Sequence, residues 1–394
     1  GLFPSFSFGW RISEENFFKV DFVDNLKLRA SWGQLGNQEI DDYLFYDTYS
    51  FGYDYSFGNT LFSGISINDV MANSAITWEK TDQIDVGIDA DFWGGKLSFT
   101  GDFFLKNTHA ILLKLPMPDL IGVDAPMQNA GKVRNTGFEL ALTHRNQLNL
   151  FKYSASFNFS YVKNEITDLN GGDIPGRSVG DPVDNIYGYV CEGIFRTQEE
   201  IDNSCSQIWG AVPGDLKYAD INNDNVVDQS DRISLGSTFP KINFGLRLNC
   251  EYRNFDLTML MQGAGMVKGV TAGEISQAFM NGGKVTEEWL DRWTPNNINA
   301  SYPRLTLSSS SRNYMTSSFW VQNASYLKMR NLQIGYTIPK HLLTNWGISN
   351  LRLYCSIDNL FTITNFKGLD PEMVTSSTLY PLTRNYSFGV NLSF

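Results

Sequence analysis

The chain has 394 residues, enough for two or three ordinary soluble domains or one large β-domain. Aromatics make up 14% of it (28 Phe, 18 Tyr, 9 Trp), beside 34 Gly and only 19% charged residues, a balance that excludes intrinsic disorder. The net charge of −11 speaks against a nucleic-acid partner, whose binders are normally basic, and four Cys without a CxxC exclude a disulfide scaffold.

No run of about 18 apolar residues exists that would cross a bilayer as a helix. Residues Gly1 to Trp10 carry no basic segment and no small-residue cleavage site, so no signal peptide is expected in them. The dominant signal is instead an alternation of period two, which marks a strand with one apolar and one polar face. It predicts about eleven strands. In chain order they lie near residues 2–12, 25–36, 76–93, 96–114, 132–147, 151–168, 235–253, 255–266, 321–339, 350–365 and 378–394. In the third, Ile84, Val86, Ile88, Ala90 and Phe92 alternate with Asp85, Gly87, Asp89 and Asp91. In the sixth, Phe151, Tyr153, Ala155, Phe157, Phe159 and Tyr161 alternate with Lys152, Ser154, Ser156, Asn158 and Ser160. The seventh opposes Ile242, Phe244, Leu246, Leu248, Cys250 and Tyr252 to Asn243, Gly245, Arg247, Asn249 and Glu251. The last opposes Tyr386, Phe388, Val390, Leu392 and Phe394 to Asn385, Ser387, Gly389, Asn391 and Ser393.

After a first connection at 13–24, long and short links alternate. Residues 37–75, 115–131, 169–234, 267–320 and 366–377 form the larger loops, against 94–95, 148–150, residue 254 alone and 340–349. Tight turns at one end and large loops at the other are the layout of an outer-membrane barrel, with short periplasmic turns and long extracellular loops. The predicted fold class is therefore all-β, an antiparallel transmembrane β-barrel with its apolar face toward the lipid bilayer. A soluble sandwich also alternates, but its strands typically run to about 5–6 residues. An open sheet would expose unpaired backbone groups to hydrocarbon at several kcal/mol each. About eleven strands are also an odd number for a single-chain bacterial barrel, so residues 1–394 are expected to be one half of a barrel whose other strands lie elsewhere.

Several motifs carry a family resemblance. The opening Gly1-Leu2-Phe3-Pro4-Ser5 with Gly9-Trp10-Arg11-Ile12-Ser13-Glu14-Glu15 is similar to a mid-barrel strand of the SusC-like TonB-dependent transporters. So are Leu28-Arg29-Ala30-Ser31-Trp32-Gly33, Trp78-Glu79-Lys80-Thr81 and Asn135-Thr136-Gly137-Phe138-Glu139, then Gly188-Tyr189 with Gly193-Ile194-Phe195, and Pro213-Gly214-Asp215. Arg292-Trp293-Thr294-Pro295, Tyr302-Pro303-Arg304, Ser325-Tyr326-Leu327-Lys328-Met329-Arg330-Asn331-Leu332 and Gly335-Tyr336-Thr337-Ile338-Pro339 complete the set. The resemblance implies roughly half of a 22-stranded barrel with a plugged lumen, here the C-terminal half, without plug domain or TonB box. It implies active import of an oligomeric nutrient, glycan or peptide, with a SusD-like surface lipoprotein as lid and TonB as energy source. The terminal Phe394 resembles the signal read by the barrel-insertion machinery, or simply ends a strand. The alternatives are a TonB-dependent receptor for a siderophore or cobalamin and, in a different class, a secreted β-rich adhesin or carbohydrate-binding protein.

The sharpest local motif is Asp220-Ile221-Asn222-Asn223-Asp224-Asn225-Val226-Val227-Asp228-Gln229-Ser230-Asp231. Its oxygen side chains are spaced as in an EF-hand-type calcium loop. Asp220, Asn222 and Asp224 would bind a structural Ca²⁺ by side chain and Val226 by its carbonyl. Asp228 would bind directly or through water, and Asp231 would close the shell. Asn225 stands where such loops have Gly, Asn being the next-best residue for left-handed backbone, and Asp231 stands where they have Glu, as in dockerin. The competing reading is an acidic Asx-turn loop that binds nothing.

The aromatic loop Phe45, Tyr46, Tyr49, Phe51, Tyr53, Tyr55 and Phe57 would either pack on itself or offer rings to a ligand, with Tyr49, Tyr53 and Tyr55 as the candidate contacts. Trp289 and Trp293, four apart in an expected helix from Val285 to Trp293, should share one buried face. Cys191 and Cys205 could pair or stay free, while Cys250 and Cys355 fall on apolar strand faces. Enzyme signatures are missing. His109, His144 and His341 are the three histidines, with no HExxH, no GxSxG and no phosphate-binding glycine loop.

Overall fold

The computed structural model describes the chain apart from residues 40–41, 53, 68–69, 116, 118–119, 121, 123, 173, 175, 309–310, 375–379 and 381. Eleven strands form one sheet: β1 (Ser5–Arg11), β2 (Val23–Asn37), β3 (Glu79–Phe92), β4 (Leu97–Lys114), β5 (Met127–Leu148), β6 (Phe151–Asp168), β7 (Ile242–Tyr252), β8 (Phe255–Gly265), β9 (Tyr326–Thr337), β10 (Asn350–Thr364) and β11 (Asn385–Ser393). They lie in the sheet in chain order, from β1 at one edge to β11 at the other. This is the antiparallel barrel meander expected from the alternation.

Contacts divide the chain into two compact units. The first consists of Gly1–Ala90, Thr100–Phe138 and Val162–Val183. In it β1 and β2 pair Phe6 with Trp32, Phe8 with Ala30 and Trp10 with Leu28, so the apolar residues meet across strands on one face. The other face is polar. Arg29 Nε contacts Asp89 Oδ2 and its Nη2 contacts Asp102 Oδ1, both at 2.8 Å. Gly87 makes this crossing possible, since a Cβ there would overlap Asp102 and come within 2.7 Å of the guanidinium.

The second unit consists of Asp91–Phe99, Glu139–Tyr161 and Asp184–Phe394. Its β6–β7 register opposes Tyr153 to Cys250, Ala155 to Leu248, Phe157 to Leu246 and Phe159 to Phe244. Its β10–β11 register opposes Leu353 to Val390, Cys355 to Phe388 and Ile357 to Tyr386. The β6–β7 row is half-buried apart from the exposed Phe157, while Leu353, Tyr386, Phe388 (82%) and Val390 of the β10–β11 row are exposed. An alternating strand whose large apolar side chains all point outward requires hydrocarbon as solvent. The polar face again carries an arginine over a glycine: Arg352 Nε reaches Asp256 Oδ1 at 2.9 Å, and a Cβ on Gly335 would fall 2.5 Å from the Arg352 Nη2.

The short links are tight turns. Gly94 (φ 69°), Gly95 (φ 73°), Asn149 (φ 54°) and Arg253 (φ 54°) take the left-handed backbone that such turns need. Aromatic residues flank them, with Phe151 stacked on Tyr153 and Phe255 against Tyr336 at 4.7 Å, as expected of an interfacial girdle. Four strand boundaries differ from the sequence expectation: β5 already begins at Met127, inside the expected loop 115–131, and three strands begin later. Residues 235–241 and 321–325 continue the alternation of β7 and β9, yet the chain there leaves the barrel sheet. Ile233–Ser237 pairs with Asn185–Gly188, and Val321–Asn323 pairs with Lys268–Val270. The last strand starts at Asn385; of the expected 378–384, residues 378, 379 and 381 lie outside the described residues.

The water-type core lies in the long loops of the second unit. Tyr189, Leu216, Tyr218 and Val227 form one buried cluster, Ala278, Trp289 and Trp320 another, and Val267, Ala324, Phe366 and Val374 a third. In these loops apolar residues turn inward, the reverse of the strands.

Candidate functional site

The long loops of the second unit line two open pockets, and their hydrogen bonds explain their shape. A small sheet joins Cys191–Ile194 to Leu216–Tyr218. Gln207 bridges to it, its Nε2 donating to the Tyr218 carbonyl at 2.9 Å and its Oε1 accepting from the Tyr218 amide at 3.0 Å. Arg312, 5% exposed, crosses the same region. Its Nη1 donates to the Gly210 carbonyl at 2.6 Å, and its Nη2 donates to Gln207 Oε1 at 2.6 Å and the Leu216 carbonyl at 3.0 Å. Its guanidinium lies 5.2 Å from the Tyr218 ring centre. Burial pushes the Arg312 pKa down and the Tyr218 pKa up.

Three motifs that sequence reading noted separately meet here. Arg304 Nε donates to Asp215 Oδ1 at 2.6 Å, the Arg304 amide donates to the Gly214 carbonyl at 2.7 Å and the Trp293 amide to the Tyr302 carbonyl at 2.8 Å. Gly214, at φ +94°, has no room for a side chain, because a Cβ would come 2.5 Å from the Trp293 ring and 2.7 Å from Arg304 Cβ. Asn313 completes the junction, donating to Asp215 Oδ1 at 2.9 Å and accepting from the Leu216 amide at 2.8 Å. Arg312 and Asn313 were missed by sequence reading, since neither belongs to a spaced motif.

The expected helix around Trp289 is shorter, a 3₁₀ turn over Glu287–Asp291. Trp289 is buried with Tyr302 and Tyr314 around it. Trp293 lies past the end of that turn against Gly214, so the two indoles do not share one helix face.

The acidic loop is built by its own side chains. Asp220 accepts from the amides of Asp224 (3.3 Å) and Asn225 (2.7 Å), and Asp224 accepts from the Val226 amide at 2.8 Å. Asp228 accepts from the Ser230 amide and hydroxyl at 2.7 and 2.6 Å, which hold its carboxyl below the usual range. Asp231, fully buried, accepts from the amides of Ile221 (2.8 Å), Asn222 (3.3 Å) and Asp228 (2.8 Å). Asn223 (φ 61°) and Asn225 (φ 69°) are left-handed, as expected for the residue in the glycine position. The donor set is all oxygen and hard, which suits Ca²⁺. The carboxylates are turned onto backbone amides, and among the described residues no three His, Cys, Asp or Glu converge as metal ligands. The loop borders an open groove of about 800 Å³ with Glu192, Glu199, Glu200 and Lys217 on its walls.

The aromatic loop lies in the first unit as two small hairpins, Tyr49–Phe51 with Ile65–Ile67 and Tyr55–Phe57 with Thr60–Phe62. Tyr49 (69% exposed) and Tyr55 (63%) are open to solvent. Tyr55 touches Phe57 at 4.8 Å and Phe57 touches Phe62 at 5.8 Å, while Tyr53 lies outside the described residues. Cys191, Cys205, Cys250 and Cys355 are free thiols. Cys191 and Cys205 pack against the Tyr218 cluster, and burial pushes the Cys191 thiol up to about 11.

Residues 1–360 match the family described as TonB dependent receptor-like, beta-barrel. The chain is 29% identical to TonB-dependent receptor P3 of Formosa agariphila over 426 residues, covering 100% of this chain and 42% of that protein. It is 28% identical to TonB-dependent receptor SusC of Bacteroides thetaiotaomicron over 418 residues, covering 100% of this chain and 40% of that one. Among solved structures it superposes on the RagAB peptide transporter with a TM-score of 0.81 at 25% identity, over 100% of this chain and 43% of that chain. The chain thus spans about two fifths of the length of these relatives. It belongs to the TonB-dependent receptor β-barrel family, as a SusC-like segment of a multi-pass outer-membrane barrel.

Proposed function

We propose that the protein of which these residues form the barrel wall and long loops imports an oligomeric nutrient, glycan or peptide, across the outer membrane. The observation that carries this reading is likeness along the whole chain to SusC and to the RagAB peptide transporter, loops included. In this reading a SusD-like surface lipoprotein closes over the long loops. TonB supplies energy through a plug contributed by other residues. The chain itself performs no covalent chemistry, and its role is to enclose, recognise and pass a ligand. The exposed rings of Tyr49 and Tyr55 are proposed as ligand contacts, since flat exposed aromatics stack on sugar faces and grip peptide side chains.

Loop 220–231 is proposed to take one structural Ca²⁺ through Asp220, Asn222, Asp224, the Val226 carbonyl, Asp228 and Asp231. The left-handed Asn223 and Asn225 and the all-oxygen donors support it. The ion would tie the ends of the loop together.

The test is affinity purification of the tagged protein from outer membranes, followed by uptake of labelled oligomers in a strain lacking it. Co-purification of a surface lipoprotein, with loss of oligomer uptake on deletion, is the expected result. Purification without a lipoprotein, together with loss of iron–siderophore or cobalamin uptake, would refute the reading.

A further inference from the structure

We propose that the cavity walled by Trp209, Asp215, Arg304, Thr306 and Arg312 is a subsite for an anionic sugar of the imported ligand, a uronate carboxylate or a sulfate ester seated by Arg304 with its ring against Trp209. The proposal rests on the import reading above and narrows its substrate class to acidic glycans. The cavity measures about 270 Å³, and Trp209, Asp215, Arg304, Thr306 and Arg312 are on its walls.

Charge is the first argument. Two guanidiniums and a single carboxylate line this cavity, in a chain whose net charge is −11. The two cations are close enough for Arg304 to depress the Arg312 pKa. The carboxylate is already committed: Asp215, buried, accepts from Arg304 Nε, Asn313 Nδ2 and the Val212 amide.

The second argument is unused donors. Arg304, with 36% of its side chain exposed, spends Nε on Asp215, and among the described residues its two terminal amino groups have no hydrogen-bond partner. A guanidinium held rigid through Nε presents that pair as a fork matched to two oxygens of one carboxylate or sulfate. Arg312 spends both terminal nitrogens on backbone and Gln207, and its Nε is buried without a partner. It therefore contributes field rather than contact.

The third argument is Trp209, whose indole is 72% exposed in a left-handed backbone position (φ 59°). A left-handed non-glycine residue is strained, and an exposed indole gains nothing from burial to offset that strain. A flat apolar face beside an anion fork and the Thr306 hydroxyl fits a charged sugar ring better than an extended peptide.

The experiment is calorimetry with the membrane-extracted protein in detergent. Probes are a galacturonate hexamer, its methyl-esterified form, a sulfated galactan hexamer with its desulfated counterpart, and an acidic hexapeptide of equal charge. Acidic sugars are expected to bind about tenfold or more tightly than their neutral forms, with affinity falling as salt rises. The uronate and sulfate arms show which anion is preferred. Arg304→Lys should weaken acidic-sugar binding by about tenfold and leave neutral-sugar binding unchanged, while Trp209→Ala, which removes the stacking face, should weaken acidic- and neutral-sugar binding alike. Trp209→Ala removes an exposed side chain, and Arg304→Lys keeps a cation beside Asp215, so both should retain the wild-type heat-modifiable band on gels. Equal binding of neutral and acidic forms, preference for the peptide, or absence of acidic-sugar binding overturns the proposal. Binding of neutral glycans alone would leave the import reading standing while this one fails.

Discussion

Lys328 offers the sharpest test of how the loops are held to the barrel. It lies on β9, its side chain 2% exposed, with Nζ 2.7 Å from Asp370 and 2.9 Å from Glu372. Glu372 also accepts from the Tyr326 hydroxyl at 2.7 Å and pairs with Arg330. Lys328→Met keeps the volume and removes the charge, leaving two part-buried carboxylates to share what remains. Breaking a buried pair from one side costs about 3–5 kcal/mol. With Arg330 and Tyr326 still in place the lower figure applies, about 3 kcal/mol, or roughly a hundredfold in the opening equilibrium of the segment. The amides of Glu372 and Met373, bonded to Asp370 Oδ1 and Asp370 O, report that opening directly. Hydrogen exchange at both should accelerate about a hundredfold, while the β9–β10 amides stay protected. Exchange within twofold of the parent would refute the argument. Acid should act in the same direction. Burial pushes the Glu372 carboxyl up, but hydrogen bonds from Lys328, Tyr326 and Arg330 together hold it below its ordinary value. The stability it supplies is therefore full above the ordinary glutamate pKa and is lost as pH falls through the lowered one.

Three further outcomes are expected. Gly335→Val places a side chain on Arg352 and Asp256 and should destabilise the barrel by about 1–3 kcal/mol, read as a lower midpoint for loss of the compact gel band; an unchanged midpoint would show that the pair moves freely. Asp231→Ala strips the acceptor from three amides at about 3 kcal/mol, so proteinase K should cut within residues 220–231, and wild-type resistance would contradict the assigned hydrogen bonds. Cys191, with its pKa raised to about 11 by burial, should resist iodoacetamide at pH 8 and react as pH approaches 11; rapid labelling at pH 8 would contradict its burial.

The β-barrel strands were legible because their environment imposes a rule on every second residue. Phe151 to Tyr161, or Tyr386 to Phe394, must place apolar groups outward and polar groups inward, so one face reads directly from a list of residues, and the pairing found in β6–β7 follows it pair by pair. The rule misled at 235–241 and 321–325, where the same alternation serves small loop sheets. Alternation specifies a strand and its faces but not its partner. The turns at Gly94, Asn149 and Arg253 were legible as short links because so few residues separate the patterns.

The calcium-type loop was visible as a spacing, and Asn225 took the backbone that the spacing requires. The direction of its carboxylates, onto amides of the same loop, depends on positions that no periodicity encodes. Asp215 and Arg304 were visible only as members of separate motifs and Gln207 and Arg312 not at all, because the junction joins segments about a hundred residues apart. The sequence by itself determined the strands, their two faces and the alternation of turn and loop, since each follows from neighbours a few residues away meeting either lipid or water. Only the tertiary structure decided that the long loops have a core of their own, which arginine is buried and which keeps a free fork, because those depend on contacts closed between residues far apart in the chain.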